Sequence, residues 1–166
     1  MKDERFVIAL YVDNQFGVLT RVKGLFTRRS FNIDSLTVGV TEDERYSRIT
    51  ITMRGDELTK EQVINQLKKQ FCVKKVDLLD ESSTQRELML IKVRHTSGTR
   101  TEIMTAVDVF RAKVIDYSPE EMCIEVTGDP SKMDAFVTLM QPFGILEMCR
   151  TGIVALDRGS ATLLTK

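Results

Sequence analysis

Residues 14–39 read N-Q-F-G-V-L-T-R-V-K-G-L-F-T-R-R-S-F-N-I-D-S-L-T-V-G. The stretch joins an apolar strand over residues 6–12 to an amphipathic helix, through Asn14 and then Gly17. A second strand follows, entered through Asn32. A glycine at a strand-to-helix turn lets the main chain approach a ligand, and the helix start aims unsatisfied N–H groups at a bound anion. The carboxamides of Asn14 and Asn32 flank this unit and suit a small zwitterion such as an amino acid. Nothing nearby could react with it. Plain turn chemistry satisfies the same spacing: Gly17 as a turn glycine, Asn14 as a turn or cap residue, Asn32 as a left-handed residue after the helix.

Working outward, Phe6, Ile8, Leu10 and Val12 share one face of the first strand. Val18, Leu19, Val22, Leu25 and Phe26 form a stripe of 3.6-residue period on the helix. Leu36, Val38 and Val40 alternate with polar positions, and T-E-D-E turns the chain. Ile49, Ile51 and Met53 alternate with threonines on the returning strand, which Gly55 and Asp56 end. Thr59 with Gln62 reads as a capping box for a helix that buries Val63, Ile64 and Leu67, and a short strand spans residues 73–79.

The polar run D-E-S-S-T-Q-R-E then reads as a linker, after which the order repeats. Residues 88–93 form a strand, and Thr99 with Glu102 reads as the cap of a helix carrying Ile103, Val107 and Phe110. Residues 113–117 and 122–127 make a hairpin around S-P-E-E. Asp129 then Pro130 starts a helix bearing Met133, Phe136, Val137 and Met140, and residues 142–144 stop it. One long strand, bulged at Gly152, is expected over residues 145–156. Two βαββαβ units predict an α+β chain of two tandem ferredoxin-like domains, over 1–80 and 81–166. Val7, Ala9 and Tyr11 lie on the sheet face away from the helices and suggest a dimer or partner surface.

The 166 residues carry 24 lysines and arginines against 24 aspartates and glutamates, so no bulk field favours nucleic acid or anionic lipid. No apolar run approaches the ~20 residues of a membrane helix. The start M-K-D-E-R has no apolar signal core, and the cytosol is the expected compartment. Cys72, Cys123 and Cys149 are far apart and unpaired in pattern, and the single histidine, His95, has no acidic or cysteine cluster beside it. Neither a zinc site, a phosphate loop nor a catalytic triad can be assembled. No C-x-x-C metal-chaperone loop, aromatic RNA platform or phosphate-binding Gly-Arg loop is present either, although a small hydrolase on this fold remains an enzyme-class alternative.

The blocks N-Q-F-G-V-L and N-I-D-S-L-T-V-G resemble the start of an ACT domain. Together with R-E-L-M-L-I-K-V, F-R-A-K-V-I-D and R-T-G-I-V-A-L-D-R-G, they make essentially the whole chain similar to the regulatory (small) subunits of acetohydroxyacid synthase, also called acetolactate synthase. The resemblance implies an ACT domain over 1–80, for effector binding and dimerisation, followed over 81–166 by the second, C-terminal domain found in these small subunits. It implies a protein with no chemistry of its own that activates a large catalytic subunit. Feedback inhibition by a branched-chain amino acid, valine first among them, follows for valine, leucine and isoleucine biosynthesis. The chain itself would bind no cofactor; thiamine diphosphate, magnesium and FAD would belong to the partner.

By the same resemblance, Asn14 binds the effector, and Gly17, Val18 and Leu19 offer main-chain N–H groups to its carboxylate. Asn32 and Ile33 complete the pocket from the facing domain of a homodimer. The chain departs from the family at Phe16, where proline or a small residue is common, and at Ser30, where a glycine commonly ends the helix. A stand-alone ACT-type sensor of another enzyme or of a transcription factor is the alternative.

Overall fold

A computed structural model describes residues 4–165. Contacts divide the chain into two units: residues up to Thr84 together with those from Ile153 on, and Gln85–Gly152.

In the first unit the order is β1 (Glu4–Asp13), α1 (Val18–Arg28), β2 (Ile33–Val40), β3 (Tyr46–Gly55), α2 (Glu57–Lys68) and β4 (Val73–Leu79). The strands lie β2-β3-β1-β4, all antiparallel. The expected period-2 pattern builds the core. Phe6, Ile8, Leu10 and Val12 meet Ile49, Ile51 and Met53 beneath Val22, Leu25 and Phe26 of α1 and Val63 and Leu67 of α2. Ser30 ends α1 in the left-handed region at φ 56°, so serine does take the glycine-type position, and the Phe31 N–H closes the turn on the Phe26 carbonyl.

The second unit repeats the plan with β5 (Thr84–Arg94), α3 (Arg100–Val109), β6 (Lys113–Tyr117), β7 (Glu121–Gly128), α4 (Pro130–Met140) and β8 (Ile145–Arg150). Its strands run β6-β7-β5-β8, the same order as in the first unit. Met89, Ile91 and Val93 pack with Ile124, Val126, Met133, Phe136 and Met140. Asp129 caps α4 by accepting from the Lys132 N–H at 2.9 Å, with Pro130 at the first helical position.

The structure differs from the sequence reading at several points. The cap of α2 is Asp56, which accepts from the Thr59 N–H at 2.9 Å, so the Thr59–Gln62 box does not form and the helix starts earlier. Thr99 does stand at the start of α3, but its hydroxyl takes the Thr96 N–H at 2.9 Å and caps nothing within the helix. The second half of the expected linker is strand, because the polar Glu87 is buried on β5 in an ion pair with Arg150 of β8.

The long last strand breaks instead of bulging. β8 ends at Arg150, Gly152 takes φ 80°, and a separate β9 (Val154–Leu156) follows. With that break the domain boundary moves, since residues from Ile153 on belong to the first unit and not to 81–166. Ile153, Ala155 and Leu163 pack on Val7, Ala9, Tyr11 and Leu79, all of them buried. The chain therefore covers its own outer face, and Val7, Ala9 and Tyr11 offer no partner surface.

Candidate functional site

β1 leaves the sheet at Asp13, whose N–H donates to the Cys72 carbonyl at 2.9 Å and whose carboxylate pairs with Lys74 at 2.8 Å. Asn14 comes next and is exposed. Its N–H donates to the Arg45 carbonyl at 2.8 Å, and its Nδ2 donates to the Glu44 carbonyl at 2.8 Å. Gln15 and Phe16 carry the chain over to Gly17, which sits at φ 83° as the N-cap of α1. A Cβ there would meet nothing within 4 Å, so glycine answers a backbone demand in open space. No side chain caps α1, and its first turn holds no acidic residue. The Val18 N–H, expected to face a ligand, instead closes the turn on the Gln15 carbonyl at 3.3 Å, so the Leu19 N–H is the one of the expected donors left at the positive end of the helix dipole.

Val18 is buried and anchors the loop to the core, whereas Leu19, expected on the buried stripe, is exposed. The Phe16 ring projects wholly into solvent. Asn14, Gly17, Val18 and Leu19 thus come together at one end of the sheet. Asn32 and Ile33 do not join them. Ile33 pairs with Met53, which pairs with Phe6, at the opposite end of β1 from Asp13. Seven residues of strand separate the two groups, about 23 Å at ~3.3 Å per residue. Asn32 is not left-handed, since the only non-glycine residues with positive φ among those described are Ser30 and Arg111.

The turn that receives Asn14, residues 41–46, reads in the sequence only as a turn. Its T-E-D-E-R composition carries no ligand signature, and only the antiparallel register of β1 and β3 sets it opposite Asn14.

The equivalent place in the second unit is filled. Arg94 donates to the Gly144 carbonyl and His95 to the Glu120 carbonyl, the same two anchors as Asp13 and Asn14. The His95 ring, however, is buried against Tyr117 at 5.0 Å, and its Nε2 donates to the Ser118 carbonyl at 2.9 Å. The start of α3 is occupied by the Thr96–Thr99 hydroxyl pair. Among the described residues no three histidine, cysteine or acidic side chains gather as a metal site. No helix among them is long and apolar enough to cross a membrane.

Two antiparallel βαββαβ modules, the first with an uncapped strand-to-helix loop, define an α+β protein of tandem ferredoxin-like architecture. Comparison with known proteins agrees. The family described as "AHAS small subunit-like ACT domain" matches residues 8–75, and "Small subunit of acetolactate synthase" matches residues 86–159. A probable acetolactate synthase small subunit of Archaeoglobus fulgidus is 49% identical over 94% of this chain and 98% of its own length. An acetolactate synthase small subunit of Mycobacterium bovis is 43% identical over 96% and 95%. The crystal structure of the acetolactate synthase small subunit from Thermotoga maritima superposes with a TM-score of 0.86 at 41% identity, covering 95% of this chain and 99% of that one. The chain belongs to the acetolactate synthase small-subunit family.

Proposed function

We propose that the chain is the non-catalytic regulatory subunit of an acetolactate synthase. It binds a large catalytic subunit in the cytosol, raises its activity and makes it sensitive to a branched-chain amino acid, valine above leucine and isoleucine. Thiamine diphosphate, magnesium and FAD belong to the large subunit. One observation carries the reading: α1 starts uncapped beside an exposed carboxamide, in a family whose members are named as small subunits. Helix-start amides suit the carboxylate of an amino acid, a carboxamide oxygen suits its ammonium, and the exposed aliphatic side chain of Leu19 suits a branched side chain.

The site is shared between two copies. Asn14, Gly17, Val18 and Leu19 lie at one end of the sheet and Asn32 and Ile33 at the other, so one copy holds two half-sites. β2 is an edge strand, with Val38 and Val40 exposed along it. Two copies paired antiparallel through β2 set Ile33 of one beside Val40 of the other, which carries Asn32 toward the partner's Asn14. Edge strands present unpaired main-chain groups that favour such pairing.

The test is an assay of the cognate large subunit with and without this chain, titrated with valine, leucine and isoleucine. Activation together with inhibition by one of the three is expected. A large subunit indifferent to the chain would overturn the reading. Sedimentation of the chain as a monomer at micromolar concentration, with and without valine, would overturn the shared site.

A further inference from the structure

Asn14 grips the turn of residues 41–46 through both its main chain and its side chain. The side chain's partner is a carbonyl, so the carboxamide presents its donor, Nδ2, to the turn. Oδ1 is the other branch of that planar group and is left as an acceptor. The opening of α1 supplies only donors. A ligand between them meets an acceptor on one side and donors on the other.

The carbonyl that orients Asn14 has its own holder. The Glu44–Arg45 peptide is planar, and its C=O and N–H point in opposite directions. Asn14 takes the C=O end. Asp43 takes the N–H end, its Oδ1 accepting from the Arg45 N–H at 3.1 Å. The same carboxylate takes Arg45 Nε at 2.9 Å and Nη2 at 2.5 Å. The Asp43 main chain is fixed as well, its N–H donating to the Thr41 hydroxyl at 3.2 Å and its carbonyl accepting from the Tyr46 N–H at 2.9 Å. One peptide plane is thus clamped between Asp43 and Asn14.

We propose that Asp43 is a positioning residue for the amino-acid site: by holding the Glu44–Arg45 peptide, it fixes which end of the Asn14 carboxamide faces the ligand. The bound amino acid is thereby oriented, ammonium at Asn14 and carboxylate at the amides that open α1. The role rests on the reading of Asn14 as a ligand-binding residue, whereas the hydrogen bonds that define it exist without ligand.

The experiment uses the full chain, nitrogen-15 labelled, as parent, Asp43→Ala and Asp43→Asn, with melting temperature as a control of folding. The Asn14 side-chain amide signals, assigned by their loss in Asn14→Ala, should move toward free-carboxamide positions in Asp43→Ala without ligand. Valine affinity should fall about tenfold in Asp43→Ala and much less in Asp43→Asn, whose Oδ1 still accepts from the Arg45 N–H. 3-Methylbutanoate, which lacks the ammonium, should bind both variants as it binds the parent. Unmoved Asn14 signals in Asp43→Ala, or equal losses for valine and 3-methylbutanoate, would overturn the positioning role even where valine binds. A parent that binds no valine would remove the site itself, and Asp43's role with it.

Discussion

Arg48 of β3 donates through Nη2 to the main-chain carbonyl of Ala155 at 2.7 Å, joining residues 107 positions apart in sequence. The bond ties the segment after Ile153 to the outer face of the first sheet, where Leu163 adds its buried side chain. Arg158 Nε holds the same segment to the Ser82 carbonyl at 2.6 Å. Leu163→Ala is expected to lower stability by about 2–3 kcal/mol, in the lower part of the range for buried leucines because this site borders solvent. Urea denaturation followed by circular dichroism measures it. An unchanged midpoint would mean that the segment lies loosely on the sheet.

The first unit's loop gives a prediction that separates two functions. Asn14→Ala and Asn32→Ala should each weaken valine binding by about 1.5–3 kcal/mol, roughly ten- to a hundredfold, and leave activation of the large subunit largely intact. Gly17→Asp should be the most severe. The space beyond Gly17 is open, so its damage comes from φ +83° and from a negative charge beside the proposed place of the ligand's carboxylate. Gly17→Ala isolates the backbone cost, about 1 kcal/mol, and should lie between. Calorimetry with valine and activation assays, run on the same variants, decide it. Parallel loss of both functions would refute the site.

In the second unit, Glu87 is 5% exposed and its carboxylate meets the Arg150 guanidinium, which also pairs with Asp134 at 2.7 Å. Arg150→Ala leaves that carboxylate buried without its cation and should cost about 3 kcal/mol. Glu87→Gln keeps shape and hydrogen bonding and should cost clearly less. Comparison of their unfolding free energies checks the order.

Asp43 supplies a pH prediction. Hydrogen bonds from the Arg45 side chain and then its main-chain N–H pull the Asp43 carboxyl down from 3.8 to about 2. A depressed carboxyl stabilises the folded turn above the ordinary value of 3.8, and that contribution is lost as pH falls through about 2. A carbon-13 NMR titration should find the low value in the parent and a rise toward 3.8 in Arg45→Ala. No change between the two would remove the guanidinium as the cause.

Much of the architecture can be read directly from residue patterns. The strict alternation in β1 and β3 and the 3.6-residue stripes of α1 and α4 reflect single buried faces, so local pattern and packing agree. The reading failed where a distant partner decides. Glu87 looks like linker until Arg150 is beside it, and Val7, Ala9 and Tyr11 look like an interface until Ile153 and Leu163 cover them. Helix starts failed for a nearer reason: Asp56, Thr59, Thr96 and Thr99 all have capping chemistry, and geometry alone selects among them. At the site, Gly17 and Asn14 follow from local turn chemistry. The share taken by the turn of residues 41–46 depends on strand register, which no single stretch of sequence displays.

The return of the chain from Ile153 onto the first sheet has a consequence for biosynthesis. The main part of the first unit leaves the ribosome before the second, yet the residues that close its outer face follow Thr84 by about 70 positions. At roughly 5–20 residues per second, Val7, Ala9 and Tyr11 wait about 4–14 s for their cover. In that interval the nascent chain exposes an apolar sheet face, so the length of chain inserted between Thr84 and Ile153 sets how soon the first unit is sealed.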